Sequence, residues 1–220
     1  DQMLFYLPLA GSTFKKIYYD ETMDRAVSKF VPVEQLVVPY ETSDLETCPN
    51  ITQVIRMSLN DLRKKQVAGF YLDVDVIPAQ SDLGSVTSEI ERIDGVSPSQ
   101  IDYDCTLLEC HVDLDLEGYE DADEDGEPTG IKVPYVVTIS QDNGQILSIR
   151  RNYNEDDENK KKIQYFVHYK FLPGFGFYGL GLIHTIGGLS RTATAALRQL
   201  IDAGTLSNLP AGFKARGLRI

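Results

Sequence analysis

The sequence predicts an α+β fold in which mostly antiparallel strands and short helices precede one long C-terminal helix. Three observations carry that prediction. Alternating runs rich in β-branched and aromatic residues recur between turn signals from Thr13 to Phe171. Asn143-Gly144 separates two such runs, and both residues tolerate the positive φ that a tight hairpin demands. From Leu182 onward the rhythm changes to that of an amphipathic helix, with apolar residues 4, 3, 4, 3 and 4 positions apart.

Taken in order, residues 3 to 40 read as short strands and turns: "TFKKIYYD", a turn at "ETMDR", then "AVSKFVP" and "QLVVPY". A helix is predicted in "MSLNDLRKKQVAGFY", because Ser58 followed by Asp61 resembles a capping box and Gly69 supplies a stop. "DVIPAQSDLGS" reads as a loop and "SVTSEIERIDG" as a second short helix ending at Gly95. Strands follow in "TLLECHVDLDL", "IKVPYVVTIS" and "QILSIRRNY", then a charged loop "NEDDENKKK" and a strand "IQYFVHYKF". In the final helix Leu182, Ile186, Leu189, Ala193, Ala196 and Leu200 form one narrow stripe, widened by Ile183, Leu197 and Ile201. The alanines at its centre permit close helix–helix approach. Gly204 is expected to close the helix at its C′ position. The expected divisions are 1–172, 173–204 and 205–220.

The net charge of −12 is unevenly spread. Residues 183–220 hold Arg191, Arg198, Lys214, Arg216 and Arg219 against the single acid Asp202, a net of +4, so the preceding residues carry −16. Such an acidic body argues against nucleic acid gripped over the whole surface, which needs a dense basic footprint. The basic C-terminal arm is open to three uses: contact with DNA, pairing with a neighbour's acids, or plain solvation. No apolar run approaches the ~18 residues of a membrane span. The chain shows no basic leader, lacks an initiator Met, and stops on "GLRI" as if entering a strand, so a fragment of a longer protein is expected. Cys48, Cys105 and Cys110 do not make a disulfide framework, and free thiols in a reducing compartment are expected. In a strand, positions 105 and 110 point to opposite faces, which argues against a shared metal.

Three motifs invite a chemical reading. The run "DADEDGEPTGIK" imitates a calcium-binding loop through Asp121, Asp123, Asp125 and Gly126, yet Lys132 stands where the bidentate acid belongs and Pro128 interrupts it. A solvated hairpin tip is the plainer reading, and weak cation binding the alternative. His111, His168 and His184 lie in strand or helix patterns without catalytic spacing, so no catalytic residue, metal or cofactor is assigned. Finally, Gly174, Gly176 and Gly179 spell G-x-G-x-x-G between a strand and a helix, as in a dinucleotide-binding turn. Phe175, Phe177 and Tyr178 crowd the place where bare backbone should meet pyrophosphate, Pro173 removes a donor, and no second strand with its acid follows. A nucleotide-binding enzyme is therefore the alternative. The preferred reading is a strand-to-helix elbow in which Gly174, Gly176, Gly179 and Gly181 permit tight turning, anchored by the three rings. Gly187-Gly188 is a place where the following helix can bend.

The string "FVHYKFLPGFGFYGLGLIHTIGGLSRTATAALRQLIDAGTLSNLPAGFKARGLRI" closely resembles the portal proteins of tailed bacteriophages, the large type of short-tailed phages and their prophages. "FYLPLAGSTFKKIYYD", "VSKFVPVEQLVVPY", "RMSLNDLRKKQVAGFY", "LLECHVDLDLEGYED", "GIKVPYVVTIS" and "ILSIRRNY" are similar too, so the resemblance spans nearly the whole chain. It implies a structural, non-enzymatic subunit of a homo-oligomeric ring, usually of twelve copies, at one capsid vertex. Double-stranded DNA passes through the channel of such a ring without sequence specificity, driven by terminase, and capsid and tail adaptor proteins dock on it. On that resemblance, residues 1–172 belong to the wing region, the long helix is a candidate stem, and 205–220 approach the clip. Localisation in the virion, with assembly in the host cytoplasm and no membrane partner, is implied with it.

Overall fold

The computed structural model describes residues 1–20, 24–76, 92, 95, 104–121, 128–154 and 156–208. The helix expected over 85–95 lies almost wholly outside them, as do Asp123, Asp125 and residues 209–220. The fold is α+β, with antiparallel sheets and one long C-terminal helix. The chain divides into two compact units, residues 13–169 and residues 1–12 with 170–220.

The larger unit holds both sheets. Strands β1 (Ser12–Asp20) and β2 (Arg25–Val31) pair antiparallel, with Phe14 opposite Val31 and Lys16 opposite Lys29. Asp24, at φ 49°, adopts the left-handed conformation that an aspartate tolerates in the connecting turn. Strand β8 (Phe166–Lys170) lies on the other side of β1, giving the order β2-β1-β8. The second sheet runs β3-β4-β5-β6-β7 and every neighbouring pair is antiparallel. Its members are β3 (Leu36–Val37), β4 (Asn50–Ser58), β5 (Asp104–Leu114), β6 (Val133–Ser140) and β7 (Ile146–Arg151). Only two residues of "QLVVPY" are strand; Val33–Gln35 form a 3₁₀ turn ahead of them.

Helix α2 (Leu59–Val67) starts where β4 stops. Ser58 is its N-cap and accepts the Asp61 N–H on Oγ at 3.2 Å, and Gly69 follows its end at φ 75°. Leu62 faces the sheet and packs with Tyr71, Cys105, Leu107 and Leu147, the centre of a buried cluster completed by Ile55 and Met57. Burying each such side chain contributes roughly 1.5–3 kcal/mol. Strand alternation places Cys105 wholly inside while Cys110, five residues on, is half-buried on the other face.

A proline inside the sheet redirects the chain. Pro134 accepts the Asn152 N–H at 2.9 Å, but it has no N–H with which to return the second bond of that pair. The Asn152 carbonyl is thereby free and takes the Ile163 N–H at 2.9 Å, which carries the chain back toward β8.

Two helices differ from expectation. Residues 2–10, within the stretch read as strands and turns, form helix α1 (Gln2–Ala10). Its residues are apolar all round, so no periodicity distinguishes helix from strand, and Pro8 disguises it further. Gly11, at φ 89°, caps it by giving its N–H to the Leu7 carbonyl at 2.8 Å. Helix α3 (Leu182–Asn208) does not stop at Gly204. A glycine there is only weakly disfavoured, and the helix continues through Thr205, whose hydroxyl donates to the Ile201 carbonyl at 2.8 Å.

Candidate assembly surface

The unit formed by residues 1–12 and 170–220 is built on glycine. After β8 the chain makes a narrow loop closed by the Leu172–Leu180 bridge, in which the Leu180 N–H donates to the Leu172 carbonyl at 2.8 Å. The Gly179 N–H donates to Ser12 Oγ at 2.7 Å, and Phe171 N–H to the Gly11 carbonyl at 3.0 Å. Here backbone crosses backbone. A Cβ on Gly179 would stand 2.5 Å from the Gly11 carbonyl oxygen, and one on Gly181 would stand 2.6 Å from the Gly11 nitrogen and collide with the Leu9 carbonyl. Gly174 is closed in the same way, with the Tyr178 carbonyl 2.5 Å from a Cβ built there, whereas Gly176 has open space around it. At Gly179 and Gly181 the room a pyrophosphate requires is filled by residues 9–11. The expected ring anchors divide: Phe177 is buried and edge-on to Tyr178, while Phe175 is fully exposed because it projects from the loop tip.

Gly181 also opens α3. Its carbonyl accepts the N–H groups of His184 and Thr185, and its own N–H donates to His184 Nδ1 at 3.1 Å. From there α3 runs 27 residues, ~40 Å, without one buried side chain. The stripe lies along it: Leu182, Ile186, Leu189 and Leu200 are exposed, Leu189 and Leu200 by about 70%. Ala193 and Ala196 sit at its centre, also exposed. Arg191 and Arg198 occupy the opposite face, with Ser190, Thr194 and Gly187 around them. Thr194 and Thr192 return their hydroxyls to carbonyls four residues back, so the helix satisfies its own polar groups and leaves the arginines outward. Lys214, Arg216 and Arg219 fall outside the described residues.

The sheet unit contains an ionic cluster that sequence reading did not find. Lys16 Nζ on β1 meets Glu109 Oε1 on β5 at 2.5 Å, and His111 Nε2 meets the same oxygen at 2.8 Å. The three side chains are 13%, 13% and 3% exposed. Phe166 stands below the Lys16 ammonium and edge-on to His111, and Tyr165 closes the other side. Burial alone would raise the Glu109 carboxyl, but the His111 hydrogen bond and the Lys16 charge outweigh it and hold the group at about 2. Burial first, and the Glu109 charge second, push the Tyr71 phenol up to about 12. The only sequence signal for this cluster was the two-residue spacing of Glu109 and His111, which puts both on one strand face.

Of the acidic run, Asp121 is described, and it is engaged. It pairs with Lys160 and accepts the Thr129 hydroxyl at 2.7 Å, which lowers its carboxyl. Among the described residues no group of three or more His, Cys, Asp or Glu is placed to hold a metal ion. No described helix is long and apolar enough to cross a membrane.

A helix with a continuous exposed apolar stripe of this length presents an interaction surface. The family model for the Phage SU10 portal protein matches residues 12–217, and the chain belongs to that portal family. Among curated proteins none matches this sequence.

Proposed function

We propose that this chain is the wing-and-helix part of a portal subunit that closes with its copies into a ring at one capsid vertex. Twelve copies are the expected number. Double-stranded DNA enters and leaves through the ring, terminase drives packaging, and capsid and tail adaptor proteins dock on its rim. Assembly takes place in the host cytoplasm and the product resides in the virion. The role is mechanical rather than enzymatic.

The observation that carries this reading is α3: a 27-residue helix with no buried residue and a continuous apolar stripe. An isolated amphipathic helix draws most of its stability from packing its apolar face. The stripe of Leu182, Ile186, Leu189, Ala193, Ala196 and Leu200 therefore belongs against a neighbouring element of the ring, and its small central residues allow close approach. The glycine elbow holds the base of that helix. An acidic body also suits a channel wall, since attraction to phosphates would retard sliding DNA. Electron micrographs of the full-length protein test the proposal. Rings with a central hole wide enough for duplex DNA are expected, and a protein that stays monomeric under all assembly conditions refutes it.

A further inference from the structure

The polar face of α3 has its own requirement. Arg191 and Arg198 lie two helical turns apart and about half a turn around the helix from Leu200, so they cannot share the contact made by the apolar stripe. Both are exposed, and neither guanidinium has an ion-pair partner among the described residues. The unit to which they belong carries six cations against Asp1 and Asp202, a net of +4, which leaves −16 for residues 13–169.

That negative charge has an exposed edge. Asp115, Glu117 and Glu120 follow β5, and Asp156 and Glu158 lie in the loop before β8; all five are exposed. The Asp121–Lys160 ion pair joins the two segments. Lys160 is engaged there and Lys162 gives its ammonium to the Cys48 carbonyl, which leaves Lys161 as the exposed cation of that segment against these five acids.

We propose that the arginine face of α3 docks on this acidic edge of a second copy of the chain. The inference rests on the ring reading and specifies one of its contacts. The two surfaces are different patches of one molecule, so a contact between them is heterologous. Such head-to-tail contacts propagate from copy to copy and close into a ring when the rotation allows, whereas an isologous stripe-to-stripe contact would stop at a dimer. Opposed faces also suit a helix held between two elements, one covering its apolar stripe and the other its charges. Complementary charge of this kind sets register and partner choice as well as affinity.

The test uses the full-length protein and follows assembly by mass photometry in low and high salt. Wild type is expected to assemble, less readily in high salt. Arg191→Glu/Arg198→Glu should raise the concentration needed for assembly by about tenfold or more, with an unchanged circular dichroism spectrum. Arg191→Lys/Arg198→Lys should assemble nearly as wild type. Adding Asp115→Lys and Glu117→Lys to the double glutamate variant should restore assembly. A double glutamate variant that assembles at the wild-type concentration overturns the proposal and leaves the ring intact. Failure of the lysine exchange to restore assembly overturns the acidic edge as the partner. A wild type that stops at a monomer or dimer sinks the ring reading and this contact with it.

Discussion

Replacing Glu109 with glutamine removes one charge from the joint between the two sheets and keeps the shape of the side chain. The native carboxyl is held at about 2 against an ordinary value of 4.5. That displacement is worth ~3 kcal/mol of folded-state stability. The group lies 13% exposed, so solvent screening removes little of it. A depressed carboxyl stabilises fully above its unfolded value, so the contribution is complete above about pH 5.5. It is lost progressively as pH falls through 4.5 toward 2. Glu109→Gln should therefore be ~2–3 kcal/mol less stable than wild type at pH 7, because Lys16 keeps its charge beside a neutral amide. The gap should close as both proteins approach pH 2. Urea denaturation at half-unit intervals between pH 7 and pH 2, read by tyrosine fluorescence, measures it. A gap that stays constant over that range, or is absent at pH 7, would show that Glu109 does not clamp the sheets.

Two further substitutions probe the helix-bearing unit. Gly179→Ala should destabilise it by ~1–3 kcal/mol, since the new Cβ would stand 2.5 Å from the Gly11 oxygen, while Gly176→Ala, in open space, should change stability by less than ~0.5 kcal/mol. Equal effects in thermal melts would refute the account of the backbone crossing. Gly204→Ala should stabilise α3 by ~0.5–1 kcal/mol and raise helicity, because Gly204 lies inside the helix with room for a methyl group. A loss of helicity in circular dichroism would mean that Gly204 ends the helix in a left-handed conformation.

Local signals explain which elements were legible. The Ser58 cap and the Gly69 stop bracket α2, and the turn at residues 141–144 joins β6 to β7 with Gly144 at φ 67°, although Asn143 does not share its positive φ. Each depends on a few adjacent residues whose backbone preferences survive in any context. Strand β4 carries no local signature, because "NITQVIRMS" runs into α2 without a break and its inward set Ile51, Gln53, Ile55 and Met57 includes a buried glutamine. Helix α1 was hidden by apolar residues on every side. Gly204 does not stop α3, because a glycine's intrinsic preference is smaller than the cooperative tendency of a long helix to continue.

The sequence by itself determined the α+β class, the amphipathic stripe of α3, the charge asymmetry between the body and its C-terminal arm, and the resemblance to portal proteins. All of these are set by composition or by short-range periodicity. Only the tertiary structure decided that Gly179 and Gly181 are places where the chain crosses residues 9–11, and that Lys16 meets Glu109. The residues in these contacts are separated by 93 positions or more. Their meeting is fixed by strand order and chain reversal, which no local preference encodes.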